Sequence, residues 1–360
     1  MRRHYALAAV VATGCSMDFS QYLATPPGDG GFFEDAPVTT DGPVRDVPVT
    51  PVDAGPPCTP PYVIAAVENL SGTSGARGNL VRVELATGRR CRDLGGAVLP
   101  EQPFALHRLA DGKIAVASRG QVNVFDTTTD GTVLSVPVDD SNTLPADVFP
   151  ITTPSGPGFG VAYLNVTTSD VRSVRVFTLA QQLDPLGSAQ IPQGSVSVTA
   201  HPRDATAFLA ARRDTGETFT VRPSFTGGAR TTEPFAAAIS RLTRVFALQR
   251  EGGGHVVWTT ASGSAADGAM RLTTPSSGAG PFLAMGPSSF SCAAARCREV
   301  IRVAPDPRDG APIAVCESAT MANGLPVRYV VRAGNGADCM LLDGATLPGR
   351  SRISAIAVQY

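Results

Sequence analysis

Seven cysteines carry the most reactive side chains of this 360-residue chain. Cys15 stands near the N-terminus, apart from the other six. In an exported protein, an even set of cysteines is usually oxidised to disulfides, and six cysteines allow 15 pairings. Closeness in sequence favours three of these pairings: Cys58–Cys91, Cys292–Cys297 and Cys316–Cys339.

A metal site is the alternative use of Cys292 and Cys297, which four residues separate. Zinc sites that begin with such a pair are completed by further cysteines or histidines at short, defined spacings. No histidine follows this pair in the sequence. We therefore expect a structural role for these cysteines, and we expect neither a bound metal nor another cofactor.

Histidine and acidic side chains are the groups that most often transfer protons in enzymes. Asp139, Asp140 and Asp214 could act as the acids of a glycosidase, but acids in turns are mostly solvated. The chain contains no G-x-S-x-G, H-E-x-x-H, phosphate-binding loop or complete G-x-G-x-x-G motif. We expect no catalytic residue, and we expect packed or hydrogen-bonded roles for three histidines: His107, His201 and His255.

The N-terminus carries the most specific motif. Two arginines precede YALAAVVA (5–12), an apolar stretch that is too short to cross a bilayer, which takes about 20 residues, but suits an export signal. The stretch runs into ATGC (12–15), which resembles a bacterial lipobox, with Ala12 in place of the usual leucine. The alternative is ordinary signal cleavage after ATG (12–14), which leaves an unmodified thiol at Cys15.

The lipobox resemblance implies that Cys15 is diacylated and becomes the mature N-terminus. Acylation would also leave an even number of cysteines for disulfides. Residues 1–14 are then a lipoprotein signal peptide, and the lipid anchor is the contact with the membrane. Ser16 resembles the outer-membrane sorting choice, so we expect a bacterial envelope protein on the outer membrane, facing the periplasm or the surface.

A proline- and aspartate-rich segment follows, and we assign residues 15–61 to it. Proline fixes φ and removes a hydrogen-bond donor, so this segment cannot form a central strand or a helix. We expect a disordered tether that separates the folded domain from the membrane. At about 3.1 Å per residue it could reach on the order of 100 Å.

The charge of the chain limits its partners. The formal net charge is −1 and only 17% of the residues are charged. Binding to nucleic acid depends on clustered lysines and arginines matched to phosphates. We therefore expect no nucleic-acid partner.

Residues 62–360 read as strands: short apolar runs alternate with turns rich in Gly, Pro, Asp and Asn. A weak unit recurs, in which three apolar runs are joined by tight polar turns. The middle runs begin near residues 114, 159, 205, 255 and 312, about 45 to 57 residues apart. This spacing suits the four-stranded blades of a β-propeller, with fourth strands in stretches such as 132–138 and 338–344.

The same turn sequence occurs twice in this pattern. AHPRDATAFLAAR (200–212) and APDPRDGAPIAVCES (304–318) share a Pro-Arg-Asp turn that leads into an apolar run. We expect each turn to join the innermost strand of a blade to the second strand. LADGKIA (109–115) fills the same place in a third blade.

The two ends of the domain are complementary. Its first run, within YVIAAVENLSGTSGARGNLVRVELATG (62–88), lacks an inner strand ahead of it, and RISAIAVQY (352–360) is an inner-strand pattern with nothing after it. Joining them removes exposed sheet edges. The domain thus resembles a six-bladed β-propeller closed by the C-terminal strand, and the alternative is a pair of tandem β-sandwiches.

Two functions remain open. The first is a lipid-anchored, non-catalytic binding or scaffold module with an unknown protein or polysaccharide ligand, and the second is a propeller-type hydrolase or lyase acting on glycans or lactones. Propellers that this domain resembles usually bind at one rim, where arginine can pair with carboxylates. The residues expected at that rim are Arg77, Asp139, Asp140, Arg212, Arg213 and Arg350.

Overall fold

The computed structural model describes residues 56–69, 78–94, 99, 102–137, 143–180, 185–225, 231–236, 238, 242–248, 255–260, 269–273, 283–288, 297–306, 312–322, 324–332, 340–344, 347 and 351–359. The regular elements in these ranges are 23 β-strands, and no α-helix is present among them. Within the same ranges, no helix is long and apolar enough to span a membrane.

The strands form six antiparallel sheets. The chain enters through β1 (Tyr62–Asn69) and β2 (Gly78–Glu84). Blade 1 contains β3 (Pro103–Arg108), β4 (Lys113–Ser118), β5 (Gln121–Asp126) and β6 (Gly131–Pro137). Blade 2 contains β7 (Thr143–Thr153), β8 (Gly156–Asn165), β9 (Val171–Thr178) and β10 (Gly187–Gln190). Blade 3 contains β11 (Ser195–Ala200), β12 (Phe208–Arg212), β13 (Thr218–Arg222) and β14 (Thr231–Ala236).

Blade 4 contains β15 (Leu242–Leu248), β16 (His255–Thr260), β17 (Ala269–Thr273) and β18 (Leu283–Ser288). Blade 5 contains β19 (Glu299–Pro305), β20 (Pro312–Ala322), β21 (Leu325–Arg332) and β22 (Met340–Asp343). The last strand, β23 (Ser351–Gln359), joins β1 and β2 in a three-stranded sheet of order β2-β1-β23, which we call the terminal sheet.

These sheets form a β-propeller, as predicted. The first strand of each blade is its inner strand, and the inner strands contact one another in the closed order β3, β7, β11, β15, β19, β23 and back to β3. The alternative of tandem β-sandwiches is therefore wrong. The predicted number of blades is also wrong, because the structure has five four-stranded blades and not six. The terminal sheet has three strands, and no regular strand of the described residues pairs with the free edge of β2.

The C-terminal strand pairs with the first strand of the domain, as its sequence predicts. Antiparallel pairs run from Tyr62 opposite Gln359 to Asn69 opposite Ser351, with a bulge between Ala66 and Val67. Nearly every residue of β1 and β23 is buried. The two ends of the described domain are thus held together by one ladder of backbone hydrogen bonds.

Both faces of the terminal sheet are covered, which explains why β1 reads as a continuous apolar run. Val63 and Val67 pack in a cluster with Ile313 of blade 5. Ile64 points to the other face and packs with Leu106 of blade 1. Because side chains of a strand alternate between faces, a strand buried on both sides needs apolar residues at every position.

The recurring turns lie where the sequence places them. Residues 201–207 join inner strand β11 to β12, and residues 109–112 join β3 to β4. The second turn needs positive φ angles, which Asp111 and Gly112 adopt at 55° and 69°. The other Pro-Arg-Asp turn connects β19 to β20, but residues 307–311 lie outside the described part of the chain.

Two disulfides lie within the described residues, and one was predicted correctly. Cys58 is bonded to Cys91. Cys297 is bonded to Cys316, which corrects both of the other predicted pairings. The reason is strand pairing: Cys316 of β20 lies opposite Val300 of β19, and Arg298 N donates to Glu317 O at 2.7 Å, so the chain just ahead of β19 stays beside β20 and Cys297 lies next to Cys316. The former partners Cys292 and Cys339 lie outside the described residues.

Candidate binding site in the central channel

The inner strands leave polar backbone groups facing a central channel, because each is an edge strand of its sheet. Such groups need partners from outside the ladder. On β11, the Ser197 hydroxyl accepts from Val245 N at 3.1 Å and lies 3.3 Å from Val245 O. Ala247 N donates to Thr199 Oγ1 at 3.1 Å. Short polar side chains therefore fasten β11 to β15 at the channel.

Arg302, on β19, closes the channel. Its Nη2 donates to the carbonyl oxygens of Phe104 on β3 and Ala146 on β7, at 3.0 and 3.1 Å. Its Nη1 donates to Ile301 O at 3.3 Å. Arg302 is 9% exposed. Its side chain reaches past β23 to the next two inner strands of the ring, β3 and β7. The guanidinium thus links blade 5 to blades 1 and 2 across the channel.

A cavity of about 310 Å³ lies beside Arg302 and is lined by all six inner strands. We call it the channel cavity. The carbonyl groups that accept from Arg302 belong to Phe104 and Ala146, which lie just before the first lining residues of β3 and β7. Arg302 therefore forms one end of the cavity. Most of the wall is apolar, and the polar lining residues are His107, Arg108, Asp147, Thr199 and Arg302.

His107 presents a neutral imidazole to the channel cavity. Its Nδ1 lies 2.9 Å from the carbonyl oxygen of Arg108, a contact that requires the proton on Nδ1. Burial lowers the pKa of His107 below its usual value, with the backbone contact acting in the opposite direction. Nε2 is then a hydrogen-bond acceptor, and it keeps some contact with solvent.

Asp147, on β7, is the only carboxylate among the described residues that line the cavity. Its Oδ1 accepts from Val148 N at 2.9 Å. Oδ2 accepts no hydrogen bond from the described residues, and it keeps some contact with solvent. One carboxylate oxygen is therefore left for a ligand or water.

A second buried arginine, Arg244 on β15, lies near this group. Burial lowers its pKa to about 10, and the charge of Arg302 adds to that effect, while Glu299 opposes it. The Asp147 carboxylate also acts on Arg244. The surroundings of the single carboxylate therefore carry an excess of positive charge.

A separate charged network joins blade 5 to the terminal sheet. Glu317 accepts from Arg328 Nε at 3.0 Å and from Arg352 Nη2 at 2.9 Å. Burial acts to raise the pKa of Glu317, but the two arginines outweigh it and leave the pKa lowered. Glu68 accepts from Gln102, and burial raises its pKa despite the nearby arginines. These groups pair with one another and hold blade 5 to the terminal sheet, although Arg352 Nε is buried without a hydrogen-bond partner in the described residues.

The predicted candidates divide between the channel and the surface. Of the histidines, His107 lines the cavity. His201 follows β11, and its Nδ1 accepts from the backbone N–H groups of Arg203 and Asp204 at 3.1 and 2.9 Å. Burial lowers the pKa of His201 to about 4. His255 begins β16, and its side chain is outside what the structure describes.

Two residues of the predicted rim are described. Arg212 donates to Asp214 through Nε and Nη2, at 3.1 and 2.6 Å, and Arg213 is exposed beside it. The Arg212 hydrogen bond lowers the pKa of Asp214, which suits a solvated ion pair and not a catalytic acid. The turn that contains Gly194 lies against these residues, and Arg213 N donates to Gly194 O at 3.2 Å. Four rim residues lie outside the described part of the chain: Arg77, Asp139, Asp140 and Arg350.

Within the described ranges, no group of three or more His, Cys, Asp or Glu side chains is placed to hold a metal ion. Asp147, Arg244 and Arg302 were not predicted from the sequence. Their signal was a charged residue inside an inner-strand run, as in PADVFP (145–150), LTRVFAL (242–248) and VIRVAP (300–305). A charge at such a position must find a partner in the channel.

No known protein family and no curated protein matches the sequence. Solved structures match the fold. A protein of unknown function from Bacteroides caccae has a TM-score of 0.50 at 10% identity, covering 83% of this chain and 99% of that one. The β-propeller domain of Cps50 (Swd1) from Myceliophteria thermophila has a TM-score of 0.46 at 12% identity, with 81% and 89% covered.

A putative 6-phosphogluconolactonase from Bacteroides uniformis has a TM-score of 0.45 at 12% identity, and the match covers 83% of this chain and 99% of that one. At these identities the likeness shows the fold alone. The chain is accordingly an all-β protein with a β-propeller fold, and its function has to be argued from its own site.

Proposed function

We propose that this protein is a lipid-anchored module of the bacterial envelope that binds a ligand in or on its propeller without catalysis. The observation that carries the proposal is Arg302, which closes the channel from β19 to β3 and β7. The remaining cavity has mostly apolar walls. Apolar walls with a few fixed polar groups are typical of binding sites for small molecules.

The second candidate function is a hydrolase or lyase. It is favoured by one observation, that His107 and Asp147 line the same cavity and each leaves one polar atom without a described partner. Against it, Asp147 is not hydrogen-bonded to the His107 ring, so it does not orient the imidazole as the third group of a catalytic set does. The balance supports binding.

The envelope address is part of the proposal and depends on the N-terminal motif. Acylation of Cys15 would fix the protein to the outer membrane, and the tether of residues 15–61 would carry the propeller away from the bilayer. The partners are then the membrane, through the lipid, and an unknown protein or polysaccharide. A nucleic-acid partner is not proposed.

The free edge of β2 in the three-stranded terminal sheet is covered by irregular chain. The chain after β2 returns along this edge: Cys91 N donates to Arg82 O at 3.0 Å, and Leu94 N to Leu80 O at 3.1 Å. Leu99 and Gly78 exchange a further pair of backbone hydrogen bonds, at 2.9 and 3.1 Å. These bonds satisfy backbone groups of β2 without a regular fourth strand.

The test of function is turnover by the purified full-length protein in detergent. Chromogenic glycosides and lactones are incubated with the unaltered protein and with the variants His107→Phe and Asp147→Asn. We expect no turnover in any sample above the level without protein. Turnover that is abolished by either substitution would establish the enzyme and overturn the non-catalytic function.

A further inference from the structure

We propose that the channel cavity binds a neutral, hydroxyl-rich small molecule of monosaccharide size, whose hydroxyl groups donate to Asp147 Oδ2 and His107 Nε2. This inference deepens the proposed binding function and rests on it. The cavity volume of about 310 Å³ lies at the lower end of ligand pockets, ~300–1,000 Å³, and suits a small ligand.

The cavity offers two hydrogen-bond acceptors. The only N–H of the His107 ring donates to the Arg108 carbonyl, so Nε2 can only accept. Asp147 Oδ1 accepts from Val148 N, which leaves Oδ2 as a further acceptor. Two acceptors from neighbouring inner strands β3 and β7 therefore line one cavity, and a complementary ligand must bring hydrogen-bond donors.

Arg302 has few donors left for a ligand. Its Nη atoms donate three hydrogen bonds to the carbonyl oxygens of Ile301, Phe104 and Ala146. Its Nε is sealed from solvent and has no partner in the described residues. Of the five N–H groups of the guanidinium, a single one on Nη1 is left. One N–H cannot form the paired hydrogen bonds by which arginine usually holds a carboxylate or phosphate, so Arg302 is a poor anchor for an anion.

The groups around these acceptors carry mostly positive charge. Arg108 and Arg302 line the cavity, and Arg244 interacts electrostatically with Asp147. This positive charge disfavours a cationic donor such as an ammonium group. An anionic group placed against Asp147 Oδ2 would be repelled by the carboxylate, which is the acceptor that the ligand has to reach. A neutral donor therefore fits best, and a hydroxyl group can also accept from the Thr199 hydroxyl, whose Oγ1 already accepts from Ala247 N.

The apolar wall supplies the remaining contact. Leu106, Phe246, Ile356 and Val358 line the cavity from three inner strands, β3, β15 and β23. The C–H faces of a sugar ring can pack on such side chains, while its hydroxyl groups point to the polar end. Burial of these faces would add affinity without changing the hydrogen-bond requirement.

The experiment is calorimetric titration of the full-length protein in detergent with glucose, galactose and mannose. Glucuronate and glucosamine are the anionic and cationic probes. We expect at least one neutral sugar to bind about tenfold or more tightly than either charged probe. Asp147→Asn, which is nearly isosteric, and His107→Phe, which keeps a ring, should each weaken that binding about tenfold, because each removes one hydrogen-bond acceptor from the cavity.

Glu233→Gln is the matched control, because it also removes a carboxylate but lies on the outer strand β14, where its side chain is 62% exposed. It should leave the affinity unchanged. Failure of all three neutral sugars to bind at tens of millimolar, or tighter binding of a charged probe, would overturn the inference. Binding followed by chemical conversion of the sugar would support the ligand class and overturn only the non-catalytic function.

Discussion

At the scale of single residues, the two described histidines have different roles: His107 lines the channel cavity and His201 stabilises a turn. His107 keeps its proton on Nδ1 and offers Nε2 to the cavity. His201 does the reverse: its Nδ1 accepts from two backbone N–H groups, which fixes the Pro-Arg-Asp turn after β11. A ring nitrogen that accepts two hydrogen bonds must be unprotonated, so the turn depends on a neutral His201.

His201 makes the stability of the domain depend on pH. Its pKa in the folded protein is about 4, below the ordinary value of 6.5. As the pH falls below 6.5, the unfolded chain takes up a proton that the folded chain excludes, so the free energy of unfolding decreases until the pH passes about 4. At 1.36 kcal/mol per pKa unit the full loss is about 3 kcal/mol.

The test is urea unfolding at a series of pH values between 7 and 4, with His201→Asn as the comparison. The asparagine Oδ1 can accept the same two hydrogen bonds but does not titrate. We expect the variant to lose less stability on acidification than the unaltered protein. His107 also has a lowered pKa and acts in the same direction, so part of the slope should remain. An identical slope in both proteins would contradict the role of His201.

At the scale of the elements, the terminal sheet ties the beginning of the domain to its end. β23 contributes a complete ladder to β1 and packs on both neighbouring blades. It also carries Arg352, which donates to Glu317 of blade 5. Loss of this strand would expose an edge of β1 and leave Glu317 with a single arginine.

Deletion of residues 352–360 should therefore destabilise the whole domain. Exposure of even about 200 Å² of apolar surface costs on the order of 5 kcal/mol at about 25 cal/mol per Å², which is a large part of a typical domain stability of 5–15 kcal/mol. We expect aggregation or a much lower melting temperature by calorimetry. Deletion of residues 20–50, in the predicted tether, is the control and should leave the melting temperature nearly unchanged. Equal stability of the truncated and full-length proteins would contradict the closing role of β23.

At the scale of the whole molecule, the propeller holds the channel cavity on its axis, and the proposed lipid would decide where that cavity operates. The propeller and the N-terminal motif are independent features of the chain. The fold would be the same in a soluble protein, and the anchor would work on any domain. The envelope location is accordingly testable without reference to the channel.

Replacement of Cys15 with alanine should abolish acylation, since this side chain is the proposed attachment point of the lipid. We expect the wild-type protein to incorporate a clickable fatty-acid analogue in cells and to fractionate with the outer membrane. Cys15→Ala should remain unlabelled and accumulate as precursor or misplaced soluble protein. Cys58→Ala is the control, because it removes a different cysteine and should keep the label. An unlabelled wild-type protein would contradict the lipid anchor.

Local sequence was sufficient for much of the fold. The strand runs, the turns between inner and second strands, the pairing of the two ends and the Cys58–Cys91 disulfide were all predicted from pattern and proximity. These features depend on the spacing of apolar residues and on turn-forming residues, and both can be read from the sequence alone. The number of complete blades was not predicted correctly, because the chain that runs along β2 bonds through its backbone and shows no strand pattern.

The site and the Cys297–Cys316 disulfide were decided by tertiary structure alone. His107 was a candidate by residue type, but nothing in the sequence connects it with Asp147, 40 positions later, or with Arg302, a further 155 positions on. They meet because the inner strands close into a ring that brings their channel-facing residues to one axis. Cys316 likewise meets Cys297 through the register of β19 and β20. The sequence by itself determined which segments become strands, whereas the closure of the ring determined which side chains share a cavity, because that proximity depends on long-range packing and not on neighbours along the chain.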